Sequence, residues 1–282
     1  MSVKSVQSSA SKTEVLKKID EYERQGFFSK DIFDDPPTIP LKAGQVDFLE
    51  KKFSTRFSMK IANFLARRYI NKQIKLKTLI IKEVRGLEEN FVPLKKTGAI
   101  ITCNHFSEFD NFAVYKALEN HIHHNELYKV IREGNFTSMK GLYGYFFRHC
   151  NTLPLSSNFS VMKEFMNAVN ELLQRGEKIL VYAEQGMWWN YKKPRPVTSG
   201  AYKFAVQNKV PVIPIFITMT DSNLKDKDGF PIQEYTVHIL KAIFPDYSLS
   251  EKENVKMMME KNNLAWKNVY EEFYKKPLTY LH

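Results

Sequence analysis

The chain reads as an α/β protein: a mostly parallel sheet flanked by helices, with a helical appendage before it. Three observations predict this. Apolar, β-rich runs alternate with helically patterned stretches from about residue 76 onward. A proline-rich segment, Asp34-Asp35-Pro36-Pro37-Thr38-Ile39-Pro40, separates the first charged helix from the second. At 282 residues, with 43% hydrophobic and 26% charged residues, the chain is long enough for a full core and has an ordinary globular composition.

Taken in order, Ser11 to Arg24 has the pattern of a short charged helix, and about Gln45 to Gln73 that of a longer basic one. These form the N-terminal helical segment, residues 1–75, and residues 76–282 form the α/β domain. Strands are expected at Leu76 to Val84, Ala99 to Cys103, Tyr128 to Ile131, Thr152 to Leu155, Lys178 to Tyr182, Val210 to Met219 and Tyr235 to Ile243. Helices are expected between them at Asn111 to Glu119, Ser138 to Arg148, Phe159 to Arg175 and Gly200 to Gln207, with a last one from Ser250 to Tyr274.

The formal net charge of +11 calls for an anionic partner: a lipid surface, a phosphorylated small molecule, an acidic carrier protein or a nucleic acid. In the second helix, Lys51, Lys52, Arg56, Lys60, Arg67, Arg68 and Lys72 alternate with Phe53, Phe57, Ile61, Phe64 and Leu65. That is the pattern of a basic amphipathic helix on an anionic bilayer; packing the same apolar stripe on the α/β domain is the competing reading, and different faces can serve both. No nucleic-acid-binding motif accompanies the charge, so nucleic acid is disfavoured. Residues Met1 to Asp20 lack a signal-peptide core, and no apolar run reaches the length of a spanning helix. The expected location is cytoplasmic, peripheral at the membrane.

Asn104-His105-Phe106-Ser107-Glu108-Phe109-Asp110 carries the chemistry. It places an imidazole and a carboxylate five positions apart where a strand hands over to a helix, at the edge of the sheet where α/β sites lie. A neutral imidazole takes a proton from an alcohol near pH 7, and a carboxylate on its other nitrogen fixes the tautomer. Asp110 as a simple helix cap is the competing reading. Cys103, two residues before His105, is expected to be a buried structural thiol. His121, His123, His124 and Glu126 lack a His-Glu-x-x-His pattern, so no metal is expected.

Downstream come Ile179-Leu180-Val181-Tyr182-Ala183-Glu184-Gln185-Gly186, then Gly200 opening a helix, then Val210-Pro211-Val212-Ile213-Pro214-Ile215. In this order the series resembles the glycerophospholipid acyltransferase family, which includes lysophosphatidic acid and glycerol-3-phosphate acyltransferases, over about residues 80 to 220. The resemblance implies an acyltransferase fold with His105 and Asp110 as the catalytic pair. Asn104 matches the residue preceding the pair, Glu184 the acidic residue of the third block, and Pro211 and Pro214 the last block. The third block departs from the family pattern: Ala183 stands for the usual proline, Gly186 is displaced by one, and the arginine is missing. Thr152 to Ser156 likewise offers no arginine in the second block.

A replacement cation for the acceptor's phosphate is sought in Tyr191-Lys192-Lys193-Pro194-Arg195, with Arg195 first, for its planar fork, and Lys193 second. Asn104, Glu184, Gly186, Lys193 and Arg195 are thus the expected substrate-binding residues. Glu184 either positions the acceptor's hydroxyls or braces the site. Backbone donors at the start of the following helix or at Gly186 are candidate oxyanion partners. Trp188, Trp189 and Tyr191 either shape the mouth of the cleft or pack in the core. The implied reaction moves a fatty acyl group from acyl-CoA or an acyl carrier protein to a hydroxyl of a glycerol-phosphate or lysophospholipid, with no cofactor. The alternative is a non-catalytic membrane-surface or nucleic-acid-binding protein on a decayed version of the fold.

Overall fold

The computed structural model describes residues 11–33, 38–122 and 127–281. Its elements are α1 (Lys12–Arg24), α2 (Phe53–Lys75), β1 (Ile80–Arg85), β2 (Ala99–Cys103), α3 (Asp110–Leu118), β3 (Tyr128–Arg132), α4 (Glu133–Ser138) and α5 (Gly141–His149). They continue with β4 (Thr152–Leu155), α6 (Phe159–Gln174), β5 (Lys178–Val181), α7 (Gly200–Asn208), β6 (Val212–Lys225), β7 (Pro231–Ile239) and α8 (Glu251–Tyr274). The seven strands form one sheet in the order β1-β7-β6-β2-β5-β3-β4. Five of them, β6-β2-β5-β3-β4, run parallel, while β7 pairs antiparallel with β6 and parallel with β1.

β2 lies near the middle of the sheet, and all five of its residues are buried. Its alternation divides the core: Ile100 packs with α6, α7 and α8 on one face, whereas Ala99, Ile101 and Cys103 pack with α2 and α3 on the other. Helix starts follow from capping. Ser11 and Ser250 each form a capping box, with Glu14 and Glu253, and Asn158 caps α6. Gly86 sits at φ +74°, and a Cβ there would lie 2.1 Å from the Ile239 carbonyl oxygen, so the turn after β1 requires glycine.

Several boundaries differ from the sequence reading, for local reasons. The basic helix begins at Phe53, not near Gln45, because Asp47 accepts from the N–H groups of Lys51 and Lys52 and fixes a turn ahead of it. Leu76 caps α2 and does not open β1. The expected Ser138 to Arg148 helix is two helices, α4 and α5, with Met139 and Lys140 extended between them. β6 runs six residues past Met219 into a hairpin with β7.

The N-terminal segment is joined to the α/β body: Leu41 and Phe48 sit in the larger core, and Val15, Ile19 and Ile32 enclose Trp188. Residues 34–37 of the proline-rich segment, and His123, His124 and Glu126, lie outside the described residues. Among the described residues no helix is long and apolar enough to cross a membrane.

Candidate active site

The carboxyl ends of the five parallel strands share one edge, and the chain leaves β2 and β5 there in different directions. This is a topological switch point, the usual place for a ligand crevice in an open sheet. The register pairs Thr102 of β2 with Val181 of β5, so the turn carrying His105 and the residues from Tyr182 onward emerge side by side.

His105 Nδ1 lies 2.7 Å from Asp110 Oδ2. The same oxygen accepts from the N–H groups of Phe106 (3.1 Å) and Ser107 (3.3 Å), while Oδ1 accepts from the Tyr182 hydroxyl (2.5 Å). Asp110 is fully buried at the first residue of α3, where the helix dipole favours negative charge. Its carboxylate therefore ties together the turn that precedes the helix. The imidazole retains 22% exposure. With Nδ1–H donated to the carboxylate, Nε2 carries the lone pair that a general base needs.

Burial and the neighbouring Asp110 hold the Tyr182 phenol well above its ordinary range, so it remains a donor. The same burial, with Asp110 and Glu184 nearby, pushes the Cys103 thiol well up, consistent with an inert core thiol.

Glu184 and Arg195 form a second, fully buried unit behind His105. Glu184 Oε2 accepts from the His105 N–H (3.0 Å) and from the Arg195 guanidinium (2.8 Å), and Oε1 from the Arg195 N–H (2.7 Å). The guanidinium also donates to the carbonyls of Phe28 (2.8 Å), His105 (3.3 Å) and Gly186, and stacks 4.7 Å over Trp188. Trp188 N–H and Asn190 N–H donate to the His105 and Phe106 carbonyls, each at 3.0 Å. The loop after β5 is thereby bonded along the backbone of the histidine turn.

A cleft of about 1130 Å³ opens beside His105. Its lining includes apolar side chains, among them Ala66 and Ile70 of α2, Val130 of β3 and Phe146 of α5, and polar ones, among them Ser107, Glu108, Gln233 and residues of the β6–β7 hairpin. Burial raises the Glu108 carboxyl, against the opposing pull of Lys12 and Lys227.

Of the residues expected to bind substrate, none lines this cleft. Glu184 and Arg195 are engaged with each other, with the His105 turn and, through the guanidinium, with the Phe28 and Gly186 carbonyls. Lys193 turns away to pair with Glu23 of α1 (2.5 Å). The Asn104 side chain is bonded both ways to the Ile217 backbone, at 3.0 and 2.8 Å, extending the β2–β6 ladder.

Gly186 packs against the N-terminal strap, where a Cβ would meet Asp31 Oδ1 at 2.8 Å, and its N–H donates to the Glu184 carbonyl, which removes it as an oxyanion donor. Trp188 is a core residue whose indole N–H donates to the Lys30 carbonyl, whereas Trp189 does line the cleft. Cations that do line it come from other elements, among them Arg67, Lys129, Arg132, Lys225 and Lys227. Arg132, at the end of an apolar strand, had a visible sequence signal; the two hairpin lysines had none.

Residues 82–218 match the family model described as Acyltransferase, so the chain carries an acyltransferase-family domain. No curated protein matches it in sequence. Among solved structures it is similar to the 1-acyl-sn-glycerophosphate (LPA) acyltransferase PlsC from Thermotoga maritima, at 19% identity and a TM-score of 0.52, over 82% of this chain and 87% of that one. The matched segment and the fold both agree with an acyltransferase.

Removing one member of the buried pair leaves the other charge uncompensated. Arg195→Ala is expected to cost about 3–5 kcal/mol of stability, read as a lower denaturation midpoint, while Lys256→Ala, at the exposed pair with Glu260 on α8, leaves the midpoint nearly unchanged. Equal, small losses would contradict the bracing role.

Proposed function

We propose that this protein is an O-acyltransferase that moves a fatty acyl group from an acyl thioester, acyl-CoA or acyl carrier protein, to a hydroxyl of a glycerol-phosphate or lysophospholipid. The observation that carries the reading is the His105–Asp110 pair, 2.7 Å apart, at the wall of a large and partly apolar cleft. His105 Nε2 takes the proton of the acceptor hydroxyl as its oxygen attacks the thioester carbonyl. Asp110 holds the ring and the charge it gains. Collapse of the tetrahedral adduct breaks the C–S bond, and the imidazolium returns its proton to the departing thiolate. The apolar side chains of the cleft suit the acyl chain. A phosphate headgroup is assigned to its lining cations Arg67, Lys225 and Lys227, with Arg132, which also pairs with Asp31.

The lipid source in this reading is an anionic membrane surface, and α2 is the docking element. Phe53, Phe57 and Phe64 are 75%, 57% and 53% exposed, whereas Met59, Ala62 and Ile70 of the same helix are buried against the body. Lys52, Arg56, Lys60, Arg67 and Arg68 accompany the exposed rings. Because Ala66 and Ile70 also line the cleft, α2 connects the docking face with the site of the acyl chain. A basic face of this kind would equally receive an acidic acyl carrier protein as donor.

Thiol release from an acyl thioester in the presence of lysophosphatidic acid or glycerol-3-phosphate tests the chemistry. His105→Ala is expected to lower the rate by about 10²–10⁴-fold, and equal rates would overturn the reading. Co-sedimentation with liposomes tests the surface. Binding should require anionic lipid, weaken with salt, and fall when Phe53, Phe57 and Phe64 are replaced by serine; binding indifferent to all three would remove α2 as the docking element.

A further inference from the structure

Tyr182 touches both members of the proton-handling pair. Its hydroxyl donates to Asp110 Oδ1 at 2.5 Å, the carboxylate oxygen opposite the one that holds His105. Its ring lies 3.9 Å from the imidazole, centroid to centroid, with the planes only 18° apart. A phenylalanine would give the second contact without the first. The hydroxyl secures the carboxylate from its far side, and the ring face confines the imidazole in the plane that points Nε2 into the cleft. An aromatic face also stabilises a cation held against it, which here is the imidazolium formed during proton transfer.

We propose that Tyr182 is a positioning residue of the reaction, completing a Tyr182–Asp110–His105 relay in which it orients the base through its hydroxyl and its ring at once. The inference rests on the acyl-transfer reading, and its two contacts act on the basicity of His105 in opposite directions. Donation to Asp110 spreads the carboxylate's charge and lowers imidazole basicity, whereas the stacked ring raises it. The other charged groups near His105 are Glu184 and Arg195 behind its backbone, and Glu108 in the turn before α3 and Lys12 of α1 line the same cleft. All of these stay in place when residue 182 alone is changed.

The test compares Tyr182→Phe and Tyr182→Leu in the full chain, by acyl-transfer kinetics and by NMR titration of the His105 ring nitrogens, assigned with His105→Ala. In Tyr182→Phe the His105 titration is expected to move to higher pH, with kcat falling about tenfold and the acceptor KM within about twofold of wild type. In Tyr182→Leu, which also loses the ring, the pKa falls back relative to Tyr182→Phe while kcat drops further. An unchanged titration and kcat in Tyr182→Phe would overturn the proposal, as would a change confined to KM, which would make Tyr182 a substrate contact. The NMR comparison does not depend on turnover. A wild type that transfers no acyl group but shows the expected titration shifts would therefore refute the proposed reaction and leave the positioning contact standing.

Discussion

The site depends on one buried carboxylate. Asp110 accepts four hydrogen bonds, from an imidazole, two backbone N–H groups and a phenol, so that both oxygens are engaged without access to water. Burying a carboxylate is costly unless such donors meet it. The helix dipole at the start of α3 and the two N–H groups of the preceding turn supply that compensation from the backbone itself. The His105 ring is therefore positioned by a network whose energetic requirement is that every donor stay in place. A change at any of them is felt at the imidazole.

A second buried charge pair supports the first. Glu184 and Arg195 grip the backbone of the histidine turn and not its side chain. Arg195 also reaches the Phe28 and Gly186 carbonyls, which ties the N-terminal strap and the loop after β5 to the same point. In this structure an arginine following the acidic residue serves as a brace. The cations that line the cleft come instead from other elements, among them α2, β3 and the β6–β7 hairpin.

The local part of the site was legible in the chain. A histidine and a carboxylate five residues apart between an apolar run and a helix sufficed to place the pair, because strand, turn and helix are contiguous there. The sheet and most helices were legible for the same reason, since periodicity is a local signal. What spacing could not supply was partner choice across the fold. Arg195 pairs with a residue eleven positions earlier and Lys193 with one in α1, and nothing in their own neighbourhood distinguishes the two.

Tyr182 was legible only as a strand residue, because its reach to Asp110 depends on the register of β5 against β2. For α2 the apolar stripe was visible, but its direction was not. The close approach to Phe146 and Cys150 is made by Ala62, Ala66 and Tyr69, which leaves Phe53, Phe57 and Phe64 on the outer side.

The central claim is that His105 and Asp110 act as one unit, and a double-mutant cycle on acyl transfer tests it most directly. Asp110→Asn is expected to lower kcat by about 10²–10⁴-fold with little change in acceptor KM, because the amide no longer holds the productive tautomer. Adding the same substitution to His105→Ala should then cost almost nothing more. Losses that multiply in the double variant would contradict the account, since two independent groups, not a base and its orienting carboxylate, would then be at work.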